Sequence, residues 1–476
     1  MRYEEFKTAL AEAGLTVREF AQHIGVRATT VTNYASRQQV PKHFAVIVTL
    51  MAHIARRGLD PSQPLVELAG SPSNCHRATH EVLHSQKNLF VKSKQVKQQA
   101  QPLCIDLFAG AGGLSEGLRQ AGFESIAAVD FDKNASATYA KNHPNTTVLT
   151  KDISTLDPRE LLDILDGREL DLLAGGPSCQ GYSTHGKRNA EDPRNFLFKH
   201  YLRIAKALNP RWILIENVQG MLTYNKGYFR SEILSELVKM GYHADAKVLV
   251  AANYGVPQLR RRIFFLATRT DCEITFPEAT HGPIANDIIA PYVTVGEAFF
   301  DLPNILNQNN SSPEYKSNAK ASTAFQKYVR GESNNLTLHK ARSLSEQAGK
   351  IAEHLKEGQG LRSAPLSVLP ERFKKMRTIS TGELRKDCTT LYYRLARNEP
   401  SYTITCYYRN VASGPFLHPL ENRSLSDREA ARLMSFPDSY EFCGASIPRQ
   451  IGNAVPPLMA KAVGLHLIHL MQSDSH

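Results

Sequence analysis

The chain has 476 residues, with 57 Lys plus Arg against 46 Asp plus Glu and a formal net charge of +11. Hydrophobic residues make up 42% and charged residues 22%, which excludes a wholly disordered chain and supplies a large core. The best apolar stretch, Phe44 to Ala55, contains His53 and is short of the about 20 residues a membrane span needs, and MRYEEFKTAL lacks the apolar centre of a secretory signal. Seven cysteines, at 75, 104, 179, 272, 388, 406 and 443, form no CxxC pair. That argues against zinc ribbons and dithiol redox sites, and for reduced thiols in a cytoplasmic protein. The positive balance favours a polyanionic partner.

In residues 1–60, Leu10, Leu15, Val17, Phe20, Ala21, Ile24, Val26, Val31 and Tyr34 recur at three- and four-residue steps, which predicts helices. Thr16 and Glu19 form a capping-box pattern for VREFAQHI, Gly25 supplies a turn, and a short helix follows from about Thr29 to Ser36. Two short helices around a glycine turn fit helix-turn-helix geometry; a plain helical bundle is the alternative. The outer face of the second helix carries Arg27, Thr29, Thr30, Asn33 and Arg37, groups suited to bases and phosphates in a major groove. Residues 61–101, with HSQKNLFVKSKQVKQQAQP, predict a flexible basic linker.

From 102 to 270 strands and helices alternate. LCIDLFA, SIAAVDFD, LDLLAGGP, RWILIENV and RRIFFLAT are apolar runs, with helical patterns such as FLFKHYLRIAKAL between them. The fold class expected is α/β, a parallel sheet with helices on both faces. Residues 271–400 lose this rhythm and predict a separate variable domain. In 401–476, DREAARLMSF and a terminal helix through RQIGNAVPPLMAKAVGLHLIHL restore order.

Four motifs carry candidate chemistry. In DLFAGAGGLSEGL, a strand ends in glycines that allow close backbone approach to a ligand, and a helix begins. The spacing is neither GxGxxG nor a phosphate loop with its lysine. About 17 residues beyond Gly113 the next strand ends in Asp130, an acid placed for ribose hydroxyls, with Phe131 beside it for a flat ring and Asp152 closing the following segment. Together these favour a nucleoside-type cofactor. GGPSCQGYS presents Cys179 at the same sheet edge. A lone cysteine is usually a small buried hydrophobe, but a polar loop at a strand end suits a thiolate nucleophile. The polar stretch THGKRNAEDPRN behind it is long enough for a closing loop. Glu216, in ENV, is either a satisfied structural carboxylate or a catalytic one. In VPQLRRRIFFLA, Arg260 and Arg262 alternate and are expected on one side, as a working pair or as a solvated edge.

The ordered set DLFAGAGG, GGPSCQG, ENV, QxRxR, REAARLMSFPD and RQIGNAVPP resembles the DNA (cytosine-5)-methyltransferase family over about 103–270 and 400–470. Residues 1–60 separately resemble the helix-turn-helix of bacterial repressors. The resemblance implies a Rossmann-like S-adenosylmethionine-dependent sheet with a separate target-recognition domain and an N-terminal all-α domain. It implies Cys179 as nucleophile towards C6 of a flipped-out cytosine, Glu216 at N3 and the amine, Arg262 at O2, and Arg260 supporting the loop or a phosphate. Phe108, Gly110, Gly113, Asp130, Phe131, Asp152, Ile153, Asn453 and Val455 match the family's cofactor contacts. Two positions depart from the pattern: Asp130 stands where the family usually has Glu, and Ser178 where it has Pro. Double-stranded DNA is the implied partner, with a cognate restriction endonuclease as a second. No metal or membrane is implied. The catalytic unit is expected to be monomeric, cytoplasmic and nucleoid-associated.

Overall fold

The computed structural model describes residues 3–17, 101–177, 197–222, 227–286, 288–305, 321–332, 336–376, 384–385 and 388–474, with scattered positions between 20 and 55. Cys179, Ser178 and the candidate DNA contacts Arg27, Thr29, Thr30, Asn33 and Arg37 lie outside the described residues. The chain divides into two units, Met1–His80 and Glu81–His476. The division falls within the stretch expected to be a linker.

In the first unit the helix Tyr3–Glu12 buries Phe6 and Leu10. They share a cluster with Phe20, Val31, Val48 and Met51, and Phe6 meets Phe20 edge-on at 5.2 Å. This unit therefore has an apolar centre of its own.

The second unit is built on one seven-stranded sheet: β1 (Leu103–Leu107), β2 (Glu124–Asp130), β3 (Thr147–Thr150), β4 (Leu172–Gly175), β5 (Trp212–Val218), β6 (His243–Val250) and β7 (Arg261–Thr268). Its order is β3-β2-β1-β4-β5-β7-β6. β1 to β5 pair in parallel, while β7 runs antiparallel to both β5 and β6, which corrects the expectation of an all-parallel sheet. The expected strands all form. β3 and β6, with half-exposed patterns, are additions.

Strand order reverses between β1 and β4, where ligands bind in open α/β sheets. The two strand ends meet there: the Gly176 N–H donates to the Leu107 carbonyl at 3.3 Å, and a Cβ on Gly175 would lie 2.4 Å from that same oxygen. The loop after β1 and the loop towards Cys179 thus leave the sheet side by side.

Two apolar layers cover the sheet. One holds Ile105, Leu107, Phe198, Tyr201, Ile213 and Ile233. The other is capped by the C-terminal helix Pro457–Ser473, which crosses the helix Gly113–Ala121 so closely that a Cβ on Gly117 would sit 2.4 Å from the Pro457 carbonyl. The single terminal helix expected from 449 onward is two helices, Ile447–Asn453 and Pro457–Ser473, because Pro456 and Pro457 interrupt it. The stretch 447–473 is apolar and long enough for a membrane by composition, but 78% of its apolar window is buried inside the protein.

Residues 271–400 divide by packing. Phe276, Val295, Phe299, Phe325 and Leu336 join the second apolar layer of the sheet. Ile351, Leu361, Phe373, Cys388, Tyr392 and Leu417 form a core of their own, which runs past 400 into the C-terminal segment.

Candidate active site

The loop after β1 is held in a conformation few side chains tolerate: Phe108, Gly110 and Gly112 have φ of 60°, 55° and 88°. Asp130, at the end of β2, braces it. One carboxylate oxygen accepts from the Gly110 N–H at 2.8 Å and the other from the Asp132 N–H at 2.8 Å. Burial raises the Asp130 carboxyl above its ordinary value, opposed by those two N–H donors. A Cβ on Gly110 would meet nothing within 4 Å, so space opens at this point of the loop. At Gly113 a Cβ would lie 2.4 Å from the Val455 carbonyl, so that glycine serves contact with the C-terminal segment.

Phe131, the Asp152–Ile153 turn and Val455 lie beside this loop or its Asp130 brace. Phe131 is 65% exposed beside Asp130. Lys151 N–H donates to the Asp130 carbonyl at 3.0 Å, which brings the Asp152–Ile153 turn alongside. Asp152 accepts from Ser154 N–H and hydroxyl at 2.8 and 2.7 Å, which holds its carboxyl below the ordinary value. Ile153 is buried and Asn453 exposed. At the base of the loop, buried Asp106 accepts from Ser115 Oγ at 2.6 Å, and Ser115 accepts from Tyr139 Oη at 2.8 Å. The second oxygen of Asp106 has no partner among the described residues, and burial pushes its carboxyl up to about 7. An open loop, an exposed flat ring, a braced acid and a buried oxygen in want of a donor fit S-adenosylmethionine, which carries an adenosine and an ammonium.

The second half of the site lies at the end of β5. Glu216, 9% exposed, accepts from Arg262 Nε at 2.8 Å, and Arg262 Nη1 donates to the Arg261 carbonyl. Desolvation raises the Glu216 carboxyl above its ordinary value despite the opposing Arg262 and Arg260 charges. A Cβ on Gly176 would be 3.1 Å from Glu216 Oε2, and Asn217 Nδ2 donates to the Pro177 carbonyl at 2.9 Å. The Glu216–Arg262 pair therefore abuts the last two described residues before Ser178 and Cys179.

Arg260 and Arg262 have different partners. Arg260 lies before β7, is fully buried, and donates to the carbonyls of Ile404, Gly452 and Ala454 at 2.9–3.0 Å. Of its two expected roles, loop support fits this geometry. Contact with a phosphate does not. Both arginine charges still act on Glu216, and the two differ in partners and burial.

Sequence reasoning gave no role to three further residues. Asn217 fixes Pro177, as above. Gln258 accepts from the Ile404 N–H at 2.8 Å and donates to the Leu433 carbonyl at 2.9 Å, locking the C-terminal segment to β7. Buried Tyr440 donates to the Ala111 carbonyl at 2.6 Å and so grips the cofactor loop from outside. All three stand in or beside quoted motifs. A polar side chain in an otherwise apolar motif was the available signal.

The family model for the C-5 cytosine-specific DNA methylase matches residues 103–469. The type II methyltransferase M1.HphI of Haemophilus parahaemolyticus is 37% identical over 75% of this chain and 84% of its own length. M.AgeI of Thalassovita gelatinovora is 35% identical over 75% of this chain and 97% of its own. Among solved structures, a candidate DNA modification methyltransferase encoded within an E. coli prophage aligns with a TM-score of 0.60 and 26% identity, covering 78% of this chain and 99% of that one. The strand order, the loop at its switch point and the motif order agree with these likenesses: the chain belongs to the C-5 cytosine-specific DNA methylase family and is an S-adenosylmethionine-dependent DNA (cytosine-5)-methyltransferase.

Proposed function

We propose that Cys179, Glu216 and Arg262 carry the methylation of a cytosine swung out of a specific duplex sequence. The observation that carries this reading is the buried Glu216–Arg262 pair lying against Gly176 and Pro177, directly before the cysteine. Cytosine C5 is a weak nucleophile. Addition of the Cys179 thiolate at C6 pushes an electron pair to C5 while Glu216, its acid form favoured by burial, donates to N3. Arg262 offers its guanidinium to O2, where charge grows. When bound, S-adenosylmethionine supplies an electrophilic methyl group. Phe108, Gly110, Asp130, Phe131, Asp152, Ile153, Asn453 and Val455 hold it, with Gly113 setting the helix against Val455. Loss of the C5 proton to a base then expels the thiolate and restores the ring. Swinging the base out costs roughly a few kcal/mol, which contacts to the displaced nucleotide must offset.

The outer parts have separate roles in this reading. Residues 1–60 act as a helix-turn-helix on DNA through Arg27, Thr29, Thr30, Asn33 and Arg37. The core of Ile351 to Leu417 supports target recognition, and a cognate endonuclease shares that target.

Cells expressing the chain should acquire 5-methylcytosine in one sequence context, read by methylation-sensitive sequencing. A duplex with 5-fluorocytosine at that site should form a covalent adduct with the wild type and none with Cys179→Ala, because fluorine cannot leave as a proton does. Turnover retained in Cys179→Ala would overturn the nucleophile. Removing residues 1–70 should leave methylation intact, since every catalytic motif lies after 103.

A further inference from the structure

The segment Leu338–Arg342 faces Arg409, Leu425 and Asp427 across an open cleft of about 500 Å³. Lys340, Arg342 and Arg409 line it against a single carboxylate, Asp427. That carboxylate is already committed. It accepts from Arg409 Nε at 2.8 Å, from Arg409 Nη2, and from the Tyr408 hydroxyl at 2.7 Å. Arg409 is thereby fixed in orientation with Nη1 unengaged among the described residues. Lys340 and Arg342 are exposed and make no ion pair among the described residues. The cleft thus offers oriented donors and a net positive field, with its one acceptor spent.

Both walls are held by hydrogen bonds. Arg428 N–H donates to the Leu338 carbonyl at 3.1 Å, and its buried guanidinium holds Thr337 through carbonyl and hydroxyl. On the other side Ile404 is fastened to Gln258 and Arg260, and tight backbone turns carry the chain from Thr405 to Asn410. Gln258 and Arg260 lead directly into β7 and Arg262. The wall that presents Arg409 is therefore tied to the strand that presents the base-site arginine.

We infer that this cleft seats the phosphodiester backbone of the DNA, with Lys340, Arg342 and Arg409 as its donors, and that Gln258 and Arg260 keep that grip in register with the base site. The inference rests on the DNA methyltransferase reading and adds the surface that holds the strand. Lysine and arginine heads without a free acceptor beside them suit phosphates, which position a duplex without reading its sequence.

The test is DNA binding by the full chain, by fluorescence anisotropy, from 50 to 300 mM salt, on a methylatable duplex and a scrambled one. For Lys340→Gln/Arg342→Gln, both at exposed positions, the slope of log affinity against log salt should fall by about 1.8, at about 0.9 per lost phosphate contact. Affinity should drop on both duplexes alike, while affinity for S-adenosylmethionine stays unchanged. Lys206→Gln/Lys239→Gln, on the helices Leu197–Leu208 and Tyr228–Lys239, is the control and should leave the slope as it is. An unchanged slope in the cleft variant, a matching drop in the control, or a loss confined to the methylatable duplex would each overturn the cleft as the phosphate seat. Absence of 5-methylcytosine with wild type would instead overturn the reading beneath it, so the two failures are told apart.

Discussion

Glu216 and Glu429 are both buried glutamates facing an arginine, yet they are pushed in opposite directions. Glu429, in the helix Asp427–Leu433, accepts from both Arg423 nitrogens at 2.7 and 2.8 Å and from the Ser426 N–H at 2.8 Å, with His418 3.6 Å away. The Arg423 guanidinium and these donors outweigh desolvation and hold its carboxyl well below the ordinary range. Among the described residues Glu216 has the single Arg262 Nε bond, desolvation prevails, and its carboxyl rises. Arg432 repeats the first pattern with Asp301 and Asp438. Both oxygens of Glu429, a charge that holds the fold together, are engaged. At Glu216, which meets the cytosine in the proposed mechanism, bonding capacity is left over among the described residues.

The largest effect should come from unbalancing the saturated side. Glu429→Ala leaves Arg423 and a helix start without their partner and should cost about 3–5 kcal/mol in denaturant unfolding, the range for one half of a buried pair. Glu216→Gln keeps the shape and should leave the unfolding midpoint nearly unchanged, while turnover falls roughly 10²–10⁴-fold, as for loss of a positioned acid. A comparable loss of stability in both variants would break the contrast.

Acidity separates the two further. The depressed Glu429 value means its contribution to stability is present above the ordinary carboxylate pKa and lost as pH falls towards the folded value. The melting temperature should therefore drop on the acid side, and less steeply in Glu429→Gln. The raised Glu216 value acts the other way, so the acid form persists to higher pH. Turnover should decline as pH rises through that value, and Glu216→Gln should lack this limb.

The smallest effect is a neutral bond. Tyr440→Phe keeps the ring against Phe436 and Phe442 but removes the donor to Ala111. The loss should be about 1 kcal/mol, seen as a roughly fivefold higher KM for S-adenosylmethionine with kcat unchanged. An unaltered KM would place Tyr440 with the purely architectural groups.

The apolar runs of β1, β2, β4, β5 and β7 are legible in the sequence because both faces of those strands are covered. β6 alternates exposed and half-exposed residues at the sheet edge, and β3 is four residues long, so neither stands out. The direction of β7 leaves no trace in periodicity, since a strand buries the same residues either way. Alternation put Arg260 and Arg262 together, and both charges act on Glu216, but it does not show that Arg260, which precedes β7, spends its donors on Ile404, Gly452 and Ala454. The spacing of Asp130 from the glycine loop was legible. Its bond to Gly110 was not, because local sequence does not state which donor a carboxylate will face.

Arg260 also sets an order in time. Its partners Ile404, Gly452 and Ala454 follow it by 144, 192 and 194 residues. At about 5–20 residues per second of synthesis, roughly 10–40 s separate the arginine from its last carbonyl. Throughout that interval the guanidinium must stay in water, and the β7 end of the base site lacks its backing. A nascent chain that already contains the proposed catalytic residues Cys179, Glu216 and Arg262 still lacks this support, and a truncation before Gly452 would strand a cation where the folded protein has no water to offer it.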